Sequence, residues 1–531
     1  MKHAALMLIA ATTIACSNNG APKPTDPNAI LSTLNDLAVF GNKHVGTEPG
    51  RQAGEYVFAQ MQKIGLAEVH KESFSFPRHV VDSQSFSATV DGSAMSPAFE
   101  VFEGSGAGHA DADVVYVGTA HPAEVAAVDL HGKIALLDRD RSYHRSAQYS
   151  NVSAAGAVAM LYNSAADGDL IQVGSVRFDG WSPLGPIPAI TIGNADGQIL
   201  EAAAMAGKPL HAVIDVQAHS EMATGSNVIG RIEGSDASGM IVLGAHYDTW
   251  FTGSCDNGGG IAALLAMAER RKHEGKPRYT LVFVGYDGEE VALYGGYDFL
   301  RKHRIVTRDP ILAVINFEMP SARDSSLLGL ARSNHQVLDD ALKTANLGID
   351  YPLYAGMELV PTIFGGIIPT DIQGIYRNGV PTASTAVDSP WYHTIEDTPD
   401  KVDLGAEAQD VDDFDKALGL LLADDPSQFT GLDDKLWQAT LTASNAANGD
   451  LSIDVVVTDA MNVAQANAPV DGVLMVDDFF ATGTAHTMTD ASGHATVTFP
   501  AAAVAMGSGN RYVHVTSGPD FPYVEQVLAL P

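Results

Sequence analysis

Three apolar runs each end in residues able to ligate a metal ion. They are Met240–Ala245, Tyr279–Val284 and Ala313–Phe317. The first leads into His246-Tyr-Asp248, followed by Asp256 within Ser254-Cys-Asp-Asn-Gly-Gly-Gly260. The second leads into Tyr286-Asp-Gly-Glu289-Glu290, and the third into Asn316-Phe-Glu318. Further on stands Trp391-Tyr392-His393-Thr-Ile-Glu-Asp397. A hydrolytic two-metal centre needs neutral imidazoles, carboxylates, one bridging carboxylate, and one free carboxylate to take a proton from water. His246, Asp256, Glu290, Glu318 and His393, with Glu289 free, supply that set. Each residue alone has a plainer reading. Asp256 is a good helix cap, Glu-Glu a solvated turn, and His-x-Asp a strand-end hydrogen bond. Their joint order at consecutive strand ends points to metal chemistry.

The elements that would position these groups alternate strand, loop and helix from Asn227 onward, with a helix expected over about Gly258–Lys272. Such alternation argues for an α/β sheet with helices on its faces. Ligand sites in such sheets lie at the carboxyl ends of strands. Upstream, Ile30–Leu66 reads as helical, and 69–225 as short β-branched strands with glycine-rich turns. Val402–Asp424 reads as an acidic amphipathic helix. After about Ser427 short strands return: Ser452–Val457, Gly472–Val476, His494–Phe499 and Arg511–Val515 predict a small all-β sandwich.

The chain has 531 residues, enough for three or four domains at about 150 each. Its formal charge is 31 − 64 = −33, which excludes nucleic acid as a partner. Two cysteines, Cys16 and Cys255, exclude a disulfide framework and a cysteine-rich zinc site. Met1–Ala15 reads as a bacterial secretory leader, with Lys2 and His3 ahead of the apolar Ala4–Ala11. Thr13-Ile-Ala-Cys16 is similar to a lipobox, although it lacks the usual leading Leu. The run is too short for the ~20 residues of a membrane span. An exported periplasmic or cell-surface lipoprotein is expected, attached through lipidated Cys16, with Ser17–Asn28 as tether. Cys255 is expected to be a small buried residue.

Gly244-Ala-His246-Tyr-Asp248-Thr, then Asp256-Asn-Gly, then Asp287-Gly-Glu289-Glu290 resembles the di-zinc aminopeptidase family that also contains the glutamate carboxypeptidases. The resemblance covers roughly 30–425. It takes in Gly46-Thr-Glu-Pro-Gly50, and Thr370-Asp371 ahead of Gly379-Val-Pro381. The intervening segment, about 110–222, is similar to an inserted protease-associated domain. The fold implied is a zinc exopeptidase-like mixed α/β sheet flanked by helices, with a β-rich insert and a C-terminal all-β module. The expected divisions are a leader (1–16), linker (17–29), peptidase (30–110), insert (111–222), peptidase (223–426) and β-sandwich (427–531).

The resemblance also implies roles. His246 and Glu318 would hold one zinc, Glu290 and His393 the other, and Asp256 would bridge them. Cobalt or manganese could replace zinc. Glu289 would be the general base, Asp248 would orient His246, and Tyr392 would steady the oxyanion. The Asp256–Asn257 peptide would be cis. Glu318 departs from the Asp most often found there. Peptides are the expected partners, and the sequence sets no oligomeric state. An aminopeptidase is expected over a glutamate-releasing carboxypeptidase, because the apolar loop Ala355–Pro369 lacks Lys and Arg to hold a terminal carboxylate. The nearest cation expected is Arg377, beside Asp371. A glutaminyl cyclase-like reaction fits poorly with the insert. A metal-free receptor-like protein would not need the full ligand set.

Overall fold

The computed structural model describes residues 24–531 except 178–183, 326–327, 334, 352, 433–434, 507–508 and 519–521. The leader and Cys16 lie outside the described residues. One continuous sheet runs through the peptidase region and the insert. Its spine is an antiparallel ribbon of β1 (Ala67–Val90) and β2 (Leu210–Ile232), paired along nearly their whole length. One end of β2 pairs with the insert strand Gly108–Tyr116. The other end joins the peptidase strands through antiparallel pairing with Thr280–Tyr286.

Those strands are β3 (Met240–His246), β4 (Thr280–Tyr286), β5 (Ile311–Asn316) and β6 (Thr382–Val387). They lie parallel in the order β4-β3-β5-β6. The apolar runs are continuous because helices cover both faces of a parallel sheet, which removes the usual polar alternation. The helix Gly259–Glu274 buries Ile261, Leu264 and Met267 against one face. The helix Leu404–Leu421 begins where the Asp403 carboxylate caps the N–H groups of Gly405 and Ala406.

The helical stretch expected over Ile30–Leu66 is made of two helices, Pro27–Ala38 and Glu48–Ile64. Gly41 and Gly46 between them take φ of +65° and +74°, a backbone that glycine adopts without strain. Thr47 then caps the second helix by accepting the Gly50 N–H. The insert is more helical than its texture suggests. The helices Arg145–Ala154 and Asn194–Met205 pack beside the parallel strands Ile134–Asp138, Ala159–Asn163 and Ala189–Ile192.

The C-terminal region forms a three-stranded and a four-stranded antiparallel sheet. Ile453, Val455, Leu474, Val497, Phe499 and Val513 close the core between them. This module is seated on the peptidase. Phe479 packs 4.8 Å from Tyr294 and 5.8 Å from Phe74, ring centre to ring centre. No helix among the described residues is long and apolar enough to cross a membrane.

Candidate metal centre

β3 ends on His246, whose Nε2 lies 3.3 Å from Oδ1 of Asp256 and 3.2 Å from Oε1 of Glu318. The Nε2 of His393 lies 3.0 Å from Oδ2 of Asp256 and 3.0 Å from Oε2 of Glu290. Two buried triads therefore share Asp256, one oxygen to each. All five residues are buried.

The neighbours fix each group. The Nδ1 of His246 faces the Asp248 carbonyl at 2.9 Å, which directs Nε2 and its lone pair toward the carboxylates. The Asp248 carboxylate is farther from that ring, at 3.6 Å. It instead accepts the N–H groups of Glu289 (3.1 Å) and Glu290 (3.2 Å). Asp248 thus aligns the Glu-Glu loop against β3. Glu289 belongs to neither triad, and its Oε2 lies 4.0 Å from the His246 Nε2.

Asp256 sits in a loop with a cis Asp256–Asn257 peptide. The Asp397 carboxylate accepts the N–H groups of Cys255 (2.7 Å) and Asp256 (3.1 Å). The Asn257 amide donates to the Phe317 carbonyl at 2.8 Å, and its Oδ1 accepts from Gly260 and Met319. Glu318 is pinned by paired bonds with the Thr385 hydroxyl, both 2.9 Å. Cys255 is buried and lies in neither triad. Sequence reasoning missed Asn257, Thr385 and Asp397. The Asp-Asn-Gly and Glu-Asp stretches were the available signals.

The electrostatics fit a cation. Burial drives Glu318 up to about 7 and raises Glu289 and Glu290 above the usual carboxylate range. Burial acts on Asp256 in the same sense, yet hydrogen bonds from His246 and His393 hold it low. Packed carboxylates of this kind take up protons unless positive charge joins them. Oε1 of Glu290 and Nε2 of His393 are buried without a hydrogen bond, as a metal ligand set requires. The donors are nitrogen and oxygen only, which suits zinc.

Tyr392 stacks on the His393 ring at 3.6 Å between centres. The Arg139 guanidinium lies 4.7 Å from the centre of the Tyr392 ring, and Nη1 of Arg145 lies 3.4 Å from its hydroxyl. These arginines, with Arg141, line a cavity of about 190 Å³ shared with Asp256, Glu289, Glu318 and Phe364. Sequence reasoning did not find this cationic wall, because it comes from the insert. Arg377 instead pairs with Glu525 at 3.1 Å and lies 3.9 Å over Tyr523, away from this cavity.

Residues 227–412, which contain the whole ligand set, match the family described as Peptidase family M28. Residues 107–200, within the insert, match the PA domain. The chain is 23% identical to a probable glutamate carboxypeptidase of Arabidopsis thaliana, over 72% of its own length and 65% of the relative's. The chain thus spans just under two thirds of that relative. It is 26% identical to a probable leucine aminopeptidase of Aspergillus fumigatus, over 64% of its own length and 67% of that protein's. Among solved structures, the M28 peptidase precursor of Shewanella amazonensis superposes with a TM-score of 0.61, at 21% identity over 75% of this chain and 93% of that one. An aminopeptidase of Aneurinibacillus sp. strain AM-1 gives 0.56, at 23% identity over 74% and 93%. Both likenesses concern the M28 fold.

Proposed function

We propose that this chain is an exported bacterial di-zinc exopeptidase that removes the N-terminal residue of peptides. It would be attached to the periplasmic or cell surface through Cys16, a reading that rests on the leader's sequence. The observation that carries the enzymatic reading is the pair of buried triads sharing Asp256, with Glu289 beside them and outside both.

His246 and Glu318 would hold one zinc, Glu290 and His393 the other, and Asp256 would lie between them. When bound, the two ions polarise the scissile carbonyl and acidify the attacking water. Glu289 takes the proton from that water and returns it to the departing amine. Burial raises its proton affinity, as the second step needs. The Tyr392 hydroxyl, set against Arg145, stands at the cavity wall as a donor toward the developing oxyanion. The insert contributes Arg139, Arg141, His144 and Arg145 to the cavity wall. A chain of charge −33 draws in substrates with a free cationic amine.

A second reading is favoured by the wall of Arg139 and Arg145. Guanidinium groups are suited to carboxylates. This wall supplies the cations missing from Ala355–Pro369, so it supports release of a C-terminal residue held by its carboxylate. Free, N-acetylated and C-amidated forms of one short peptide, given to the zinc-loaded protein, separate the two readings. The first predicts that acetylation abolishes turnover and amidation spares it. The second predicts the reverse. Hydrolysis of none of the three across varied sequences would contradict both.

A further inference from the structure

The metal ligand His393 is gripped by the inserted domain. Its φ of +58° lies in a region where a side chain is strained, so the surroundings must hold it there. Three hydrogen bonds from two consecutive insert residues do so. Nδ1 of His393 bonds the Val173 carbonyl at 3.0 Å. The Val173 N–H donates to the His393 carbonyl at 3.1 Å. The Gln172 amide donates to the Tyr392 carbonyl at 3.0 Å. The first bond also fixes the ring so that Nε2 faces Asp256 and Glu290.

Gln172 is buried, and its Oε1 accepts from the Ala165 N–H (2.8 Å) and the Ser164 hydroxyl (3.2 Å). The strap it begins is tied both to Glu103, just before the insert, and to the insert itself. The Glu103 N–H donates to Gly174, the Val176 N–H donates to Glu103, and Nε of Arg145 donates to the Ser175 carbonyl. The same strap therefore supports the cationic cavity wall and one metal ligand. Among the described residues the other triad shows no such tie. His246 is held by Asp248 and Glu318 by Thr385, all within the peptidase.

We infer that Gln172 is a positioning residue through which the insert sets retention of the metal at the Glu290–His393 site, leaving the His246–Glu318 site independent of it. This rests on His393 being a metal ligand. Removing a group that orients a ligand costs about 10–100-fold in metal affinity, and Gln172 acts one residue away, so a loss of about tenfold is expected.

The test is chelator competition on the full zinc-loaded chain, which reads zinc affinity rather than turnover. In Gln172→Ala one zinc equivalent should bind about tenfold more weakly while the other is unchanged. Gln172→Glu keeps the acceptor but cannot donate to Tyr392, and should behave the same way. Tyr149→Phe removes a hydroxyl bonded to Ile187 within the insert and away from the site, and should leave both equivalents unchanged. Wild-type affinity in both Gln172 variants, or an equal loss in Tyr149→Phe, would overturn the coupling. A wild-type chain that takes up no zinc would overturn the metal reading beneath it, an outcome distinct from two zincs held equally by all variants.

Discussion

Glu289 and Glu290 are chemically identical neighbours placed in different roles by one carboxylate. Asp248 accepts the backbone N–H of each, which turns Glu290 toward His393 and leaves Glu289 facing the cavity. Glu289→Gln should therefore keep both zinc equivalents and lose about 10²–10⁴ in kcat, the usual share of general acid–base catalysis. Near-normal kcat at full zinc occupancy would remove Glu289 from the mechanism. His246, Glu290 and Glu318 were legible in the sequence because each follows an unmistakable apolar run, and Asp256 and His393 were legible from the motifs that hold them. Gln172, Val173, Arg139 and Arg145 were not. They lie more than two hundred residues before His393, the ligand around which they gather, and only docking of the insert gives them meaning. Arg377 shows the converse error, since closeness in sequence to Asp371 implied a place in the cavity that Glu525 takes away.

Strands buried on both faces announced themselves, and strands exposed along part of their length did not. β3, β4 and β5 are solid apolar runs, whereas the ribbon of β1 and β2 is exposed through its middle. Ser83–Ser85 and Ser220–Met222 are solvated there and polar or flexible in character. The alternation that marks a strand is lost where neither face packs. The helix Leu404–Leu421 was legible, but three of its acids, Glu407, Asp413 and Asp415, are off the solvated face. Glu407 is fully buried, and burial drives its carboxyl up to about 8, eased by a 3.0 Å bond from the Ser321 hydroxyl. A folded-state value above the ordinary 4.5 means the neutral acid is favoured in the fold. Its contribution is full below about 4.5 and is lost as pH rises through about 8. Glu407→Gln stays neutral throughout. It should match the wild type in urea unfolding at pH 4 and exceed it by roughly 1–3 kcal/mol at pH 8. Parallel stability curves across that range would show that Glu407 is not buried as the acid.

The whole molecule joins three bodies around one site. The peptidase supplies the ligands, the insert supplies the arginine wall of the cavity and the grip on His393, and the C-terminal sandwich packs on the peptidase. That sandwich shares a core with the peptidase, since Met475, Phe479 and Tyr512 pack into the cluster that includes Val284, Tyr294 and Tyr297. Its strands were partly legible from their alternation. Its seat on the peptidase was not, because the contact depends on shape rather than pattern. The claim on which the rest depends is that the two triads sharing Asp256 hold two metal ions. Elemental analysis of the full chain, dialysed after zinc loading, tests it directly when paired with Asp256→Ala. The wild type should retain two zinc ions per chain and Asp256→Ala, lacking the shared ligand, fewer than one. A wild-type chain that retains none, or an Asp256→Ala chain that retains two, would contradict it.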